Sequence, residues 1–170
     1  NITFTGNQAH DNQVYGFQIQ EPKGIVNLKG NGSHHNGSTG FYIVDDFDPA
    51  RPSAHATISG NQSFANDGMG FEDHRSRGAI WKNNEAQANM QDGFSFDRPA
   101  GASITGNHAE GNSYNGFDLD TSGGSSPAKF SNNVAQSNIL DGFTSTDFVS
   151  GSGNLASGNG GDQCDNVACG

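Results

Sequence analysis

The sequence predicts an all-β fold: a right-handed parallel β-helix, or solenoid, of six to seven coils with a C-terminal cysteine loop as its cap. Three observations predict it. Columns of like residues recur along the chain, apolar and polar residues alternate at period two, and Gly and Asn punctuate every short apolar stretch.

The recurrence is counted from Asn7. Its counterparts are Asn31, Asn61, Asn84, Asn107, Asn133 and Asn154, spaced by 24, 30, 23, 23, 26 and 21 residues. Two residues on stands a small residue: Ala9, Ser33, Ser63, Ala86, Ala109, Ala135 and Ala156. Five on stands a second Asn: Asn12, Asn36, Asn66, Asn89, Asn112, Asn138 and Asn159. Nine and ten on comes Gly-Phe, at Gly16-Phe17, Gly40-Phe41, Gly70-Phe71, Gly93-Phe94, Gly116-Phe117 and Gly142-Phe143. Three before the anchor stands a large apolar residue: Phe4, Leu28, Ile58, Trp81, Ile104 and Phe130.

A unit of this length supplies three short strands and three turns. Stacked at the ~4.8 Å strand spacing, like residues lie above like. Phe rings then stack inside, and Asn side chains join into ladders along the axis. The same Asn residues tolerate the left-handed backbone that a bend needs, and the small column permits a tight inward corner. A leucine-rich repeat would need a leucine framework. A nonapeptide calcium β-roll would need more than Gly160-Gly161-Asp162.

Composition agrees. Only 31% of residues are hydrophobic and 25 are Gly, which under-supplies a conventional globular core. A net charge of -10 with so little apolar surface would also suit disorder, but disordered sequence does not repeat. That charge excludes nucleic acid as an expected partner, because phosphate contacts need a basic surface. No apolar run reaches the ~18 residues of a membrane-spanning helix. Residues 1–170 read as one domain. The chain opens inside a repeat, at Asn1-Ile2-Thr3-Phe4, which points to a mature secreted chain or the C-terminal part of a longer one. The uncapped N-terminal edge leaves end-to-end self-association open. Cys164 and Cys169 read as a small disulfide loop in an oxidising compartment, with free thiols the alternative. Asn-x-Ser/Thr triplets at Asn1, Asn31, Asn36 and Asn61 lie mostly in ladder columns, so they are not read as glycosylation sites.

Chemistry is expected on one face. After each Gly-Phe the outward pairs are Gln18/Gln20, Tyr42/Val44, Glu72/His74, Ser95/Asp97, Asp118/Asp120 and Thr144/Thr146. Stacking gathers Glu72, His74, Asp97, Asp118 and Asp120 into a strip whose carboxylates lie close enough to perturb one another or share a cation. All four arginines, Arg51, Arg75, Arg77 and Arg98, fall near it. Their forks suit the carboxylates of an anionic sugar polymer, or else an internal ion-pair network with these acids. Insertions at 45–52 and 121–127 point to loops on one face. Asp73 takes an inward slot that other coils fill with Ile19, Ile43, Phe96 or Leu119. Either the strand ends early there or Asp73 serves a site.

The repeat resembles the pectate-lyase-like superfamily of right-handed β-helices over essentially the whole chain. Locally it is most similar to alginate (mannuronan) C5-epimerases, whose catalytic strand reads Tyr-Gly-Phe-Asp-Pro-His. The segment here is Met69-Gly70-Phe71-Glu72-Asp73-His74. Arg75-Ser76-Arg77-Gly78, and then Asp92-Gly93-Phe94 with Asp97, resemble that family's continuation. The resemblance implies Glu72 in the place of the catalytic Asp, His74 in that of the catalytic His, and Asp97 beside the sugar. Met69 stands where the family uses a tyrosine as acid or base, and Asp73 where it has proline. Uronan lyases of this fold imply a different assignment, with Arg75 or Arg98 as base and calcium on Asp97, Asp118 and Asp120.

The expected function is a secreted β-helix that acts on or binds an acidic polysaccharide, a uronan, in the manner of an epimerase or a lyase. Such chemistry removes the C5 proton next to a carboxylate, which needs a cation to neutralise that carboxylate and a base to reach C5. The candidates for catalysis are Glu72, His74, Asp97 and Arg98. Those for substrate contact are Arg51, Arg75, Arg77, Tyr42, Asp118 and Asp120, with Tyr114 a further outward aromatic. Calcium is the one cofactor in view. The rival is a non-catalytic carbohydrate-binding or structural, adhesin-type coil. His10, His34, His35, His55 and His108 read as turn or surface residues, and Trp81 as core. An ice-binding array would need a regular Thr face, and these outward columns are too mixed.

Overall fold

The computed structural model of the protein describes residues 1–45, 56–75, 77–122 and 128–170. They form a parallel β-helix with no helical element. The first coil supplies β1 (Ile2–Thr5), β2 (Gln8–His10) and β3 (Phe17–Gln20). The second supplies β4 (Val26–Lys29), β5 (Gly32–His34) and β6 (Phe41–Val44). The third supplies β7 (Ala56–Ser59), β8 (Gln62–Phe64) and β9 (Phe71–His74). The fourth supplies β10 (Ile80–Lys82), β11 (Glu85–Gln87) and β12 (Phe94–Asp97). The fifth supplies β13 (Ser103–Thr105), β14 (His108–Glu110) and β15 (Phe117–Asp120). The sixth supplies β16 (Lys129–Ser131), β17 (Val134–Gln136) and β18 (Phe143–Ser145), and a partial seventh adds β19 (Gly151–Ser152) and β20 (Leu155–Ser157).

Every third strand joins the same sheet. The first sheet runs β1-β4-β7-β10-β13-β16-β19, the second β2-β5-β8-β11-β14-β17-β20, and the third β3-β6-β9-β12-β15-β18. The register pairs equivalent columns, as in Phe4↔Leu28, Ala86↔Ala109 and Phe94↔Phe117. The third strand of the last coil is replaced by the cysteine loop. Bridges Phe143↔Cys164 and Val149↔Val167 and the Cys164–Cys169 disulfide lay that loop over the end of the solenoid. This is the expected cap.

The interior is one continuous stack. Rings of Phe17, Phe41, Phe71, Phe94, Phe117 and Phe143 lie nearly parallel, with centroids 4.6–5.0 Å apart. Trp81 and Phe130, from the first sheet, meet this column edge-on at 6.1 and 5.6 Å. Such T-shaped contacts suit the ring quadrupole. Trp81 is therefore a core residue, fully buried, as its column predicts.

Two asparagine ladders run the length of the axis. Asn61 shows the pattern: its backbone N–H and its Nδ2 both donate to Asn84 Oδ1 at 3.0 Å, and Nδ2 also donates to Leu28 O at 3.0 Å. Asn84 repeats it on Asn107 Oδ1 and Ile58 O. Each amide thus uses two donors and two lone pairs, so a buried polar column costs no unsatisfied group. Asn31, Asn36 and Asn61 are buried in these ladders, which closes those three triplets to glycosylation.

The bends depart from expectation in one respect. The ladder asparagines do not take the left-handed backbone; the residue just before each one does. Gly6, Gly30, Gly60, Asn83, Gly106, Asn132 and Gly153 precede the first ladder with φ of 53–67°. Asp11, His35, Ala65, Ala88, Gly111, Ser137 and Gly158 precede the second with φ of 51–68°. The small column also has a different cause. It lies in the second sheet, and a Cβ on the preceding coil's Gly would approach it too closely. One on Gly70 would stand 2.8 Å from Ala86 Cβ and 2.6 Å from Gly93 O. Gly and small residue are thus two halves of one inter-coil contact.

Replacing Asn84 with Ala strips Asn61 of the acceptor of two bonds and removes one donor from Ile58 O. Leaving buried groups unpaired costs about 1–3 kcal/mol each. Asn84→Ala is expected to lower unfolding free energy by about 3 kcal/mol or more in urea denaturation. Gln87→Ala, on the outer face of β11, should change it by less than about 0.5 kcal/mol.

Candidate functional site

The third sheet carries the charged strip. In β6, β9, β12 and β15 burial alternates strictly, so first and third residues point in and second and fourth point out. Register stacks Tyr42, Glu72, Ser95 and Asp118 in one outward column and Val44, His74, Asp97 and Asp120 in the next. The strip expected from sequence is therefore present.

Its centre is a chain of contacts across three coils. Thr39 Oγ1 donates to Glu72 Oε2 at 2.8 Å, and Glu72 Oε1 pairs with His74 Nε2 at 2.7 Å. His74 Nδ1 makes a long contact of 3.5 Å with Asp97 Oδ2. Asp97 also takes Arg75 Nε on Oδ2 and Arg98 Nε on Oδ1, each at 3.3 Å. Both arginines follow their strands at left-handed positions, φ 66° and 52°, one at the end of each of two adjacent strands. Glu72 and Asp97 are mostly covered, with side chains 18% and 22% exposed, while His74 at 37% remains open to a ligand.

Tyr42 borders this centre but offers an edge rather than a face. Tyr15 stacks on its ring at 4.6 Å, and His74 meets it edge-on at 5.6 Å. Burial, then the Glu72 charge, then Tyr15 push the Tyr42 phenol above its ordinary range, so it stays protonated at neutral pH. Tyr114 lies off the strip, exposed at the corner between the second and third sheets.

The acidic end of the strip divides by environment. Burial and the neighbouring Asp120 raise the Asp118 carboxyl. Asp120 is held low by hydrogen bonds from Ser122 and Thr146 against a small burial effect, with Arg98 helping. Asp92 joins them from the column one residue before Gly-Phe. Its Oδ1 accepts the Asn115 N–H at 2.9 Å, and burial raises its pKa to about 6, with Asp118 adding to the rise. Asp97, Asp118 and Asp120 do not converge on a common point. Among the described residues no group of three or more His, Cys, Asp or Glu side chains is arranged to hold a metal ion.

Asp73 is resolved differently from the surface strip. Strand β9 continues through it, and its buried carboxylate takes the Trp81 Nε1–H at 3.0 Å. It anchors the core beneath Glu72 and His74. Arg77 lies in the exposed turn after β9, and Arg51 falls outside the described residues. The insertions follow β6 and β15 in the chain, and their residues 46–55 and 123–127 lie outside the described residues. Sequence reasoning missed Tyr15 and Thr39 and gave Asp92 no role. All three occupy the column Tyr15, Thr39, Met69, Asp92, Asn115, Asp141, whose identities vary too much for a repeat search to mark. A concavity lined by Gln62, Phe64, Glu85 and Gln87 lies on the second sheet, away from the strip.

A sequence model of the family described as periplasmic copper-binding protein (NosD) matches residues 50–159. The chain belongs to this family. A comparison with curated protein sequences gave no match. Among solved structures, the A-module of the Azotobacter vinelandii mannuronan C-5 epimerase AlgE6 is similar at TM-score 0.78 and 20% identity, over 99% of this chain and 51% of that one. The periplasmic alginate epimerase AlgG is similar at TM-score 0.71 and 22% identity, over 98% of this chain and 45% of that one. This NosD-family chain thus shares the epimerases' parallel β-helix and spans about half the length of those structures.

The Asp92 shift fixes a pH dependence. A carboxyl raised from 3.8 to about 6 favours the fold when protonated. That contribution is full below the unfolded value and lost as pH rises through the folded one. Asp92→Asn should therefore stabilise the protein above about pH 6, by on the order of 2–3 kcal/mol. The gain should vanish below about pH 4, as measured by urea denaturation across pH.

Proposed function

We propose that this NosD-family chain binds an acidic polysaccharide along the third-sheet strip and exchanges or eliminates the C5 proton of a uronate there. The observation that carries the reading is the Glu72–His74 pair, hydrogen-bonded at 2.7 Å with its His74 ring open to solvent beside two guanidinium groups. The likeness to the mannuronan epimerases supports the same reading at the level of the fold.

In this reading Arg75 and Arg98 neutralise the uronate carboxylate. Their contacts with Asp97 use Nε, which leaves the terminal nitrogens of each fork for a second carboxylate. Glu72 holds the His74 ring through Nε2. Nδ1, with only its long contact to Asp97, is the atom that takes the C5 proton. Tyr42 supplies the phenol absent at Met69. It stands in register beside Glu72 on the preceding coil, and its raised pKa keeps it a proton donor. For epimerisation the phenol returns a proton to C5 from the other face. For elimination it protonates the departing O4 as the C4–O bond breaks and C4=C5 forms. The disulfide and the periplasmic description of the family support a location outside the cytoplasm.

The double arginine contact on Asp97 favours a second reading, a binding face without turnover. The test is a panel of alginate, polymannuronate and pectate. Ultraviolet absorbance reports unsaturated ends, and proton NMR reports C5 configuration. Inversion or unsaturation supports the first reading, and binding in silence supports the second. If turnover is found, His74→Gln should lower kcat about 100-fold or more with unchanged thermal unfolding. Arg98→Ala should lower kcat as well as raise KM, because the carboxylate that it neutralises gains charge in the transition state.

A further inference from the structure

Charge changes sign along the strip. Arg75 and Arg98 follow β9 and β12, and so bring positive charge to the third and fourth coils. One coil further on, the register sets Asp120 beside Asp97, so the residue that succeeds Arg98 is Thr121. Strands β15 and β18 contain no lysine or arginine. Their outward positions hold Asp118, Asp120 and Thr144, and Asp147 follows β18 exposed. Asp118 is half-buried, and among the described residues none donates a hydrogen bond to its carboxylate. A cationic step two coils wide thus gives way to an acidic one.

We infer that the strip selects its sugar by charge: resting on the uronate reading above, it takes one uronate over the third and fourth coils and a neutral sugar over the fifth. The substrate class is then a heteropolysaccharide with spaced uronates, rather than an uninterrupted uronan. Coils stack at about 4.8 Å, close to the length of one pyranose residue, so a chain laid along the axis sets successive sugars on successive coils. A uronate held by Arg98 has its neighbour over Asp118 and Asp120. A second carboxylate there meets two like charges, and such juxtaposition is how a charged surface rejects the wrong partner. Burial and Asp120 already push the Asp118 carboxyl above its ordinary range, so one more negative charge adds to a repulsion that the coil carries. A neutral sugar meets the opposite situation. Its hydroxyls donate, an ionised carboxylate accepts, and the resulting charge-assisted bonds are short and strong. Asp118 and Asp120 are thus specificity-determining residues, placed one coil beyond the pair that holds the uronate.

The experiment is calorimetric titration of the whole protein, at low salt and with a chelator present, against two trisaccharides. One has a central uronate between two neutral hexoses, and the other is three uronates. The neutral-flanked ligand should bind more tightly, on the order of tenfold. Asp118→Asn/Asp120→Asn should bring that ratio close to one by tightening the all-uronate ligand. Glu85→Gln/Glu110→Gln removes as much charge from the second sheet and should leave the ratio as it is in the parent. Circular dichroism confirms folding of both double variants. Equal affinities in the parent, a preference for the all-uronate ligand, or a ratio that Asp118→Asn/Asp120→Asn does not move would each overturn the inference while leaving the uronate reading in place. Binding of neither trisaccharide would overturn that reading, and the inference with it.

Discussion

An asparagine amide hydrogen-bonded to its copy in the next coil is the constraint on which the rest of this structure depends. Parallel strands alone would allow neighbouring coils to slip, and a slip of one residue would turn every side chain to the other face. The amide prevents it. Its Oδ1 accepts two bonds from the coil before, and its Nδ2 reaches a backbone carbonyl of that same coil. Only the in-register arrangement satisfies all of these at once. The phenylalanine stack and the Gly-to-small-residue contact then follow, because each needs equivalent positions directly above one another.

Register is also what makes a site from residues far apart in sequence. Glu72 and His74 share a strand, but Tyr42, Thr39 and Asp97 come from neighbouring coils. They meet because the ladders hold those coils level. Asp73 shows how closely core and surface are joined here. Its bond with Trp81 fixes the inward residue between Glu72 and His74, so the orientation of the outward pair rests on a buried contact. The insertions follow β6 and β15 in the chain, which leaves the coil itself regular.

Much of this was legible in the sequence because a solenoid repeats its physics. The Asn, Gly-Phe and apolar columns each answer a requirement that recurs in every coil, so recurrence exposes them. The outward strip followed from strand alternation. What stayed hidden was whatever varies from coil to coil. Thr39 and Asp92 share a column that also holds Tyr15, Met69 and Asn115, and no shared identity marks it. The left-handed backbone was assigned to the ladder asparagines, yet it belongs to the residues before them, among which Ala65 and Ala88 carry no turn signature. His34 and His35 read as turn or surface residues. The left-handed corner that brings them together is visible only in the fold. The edgewise setting of Tyr42 likewise depends on Tyr15 one coil away.

The third-sheet strip is where we propose that this molecule meets an anionic sugar. The most direct test is an amide-resolved NMR titration of the folded chain with a short oligomannuronate. Shifts should concentrate at Tyr42, Glu72, His74, Arg75, Asp97 and Arg98, and the second sheet should stay silent. Shifts centred on the second sheet, or none at saturating oligomer, would contradict the account.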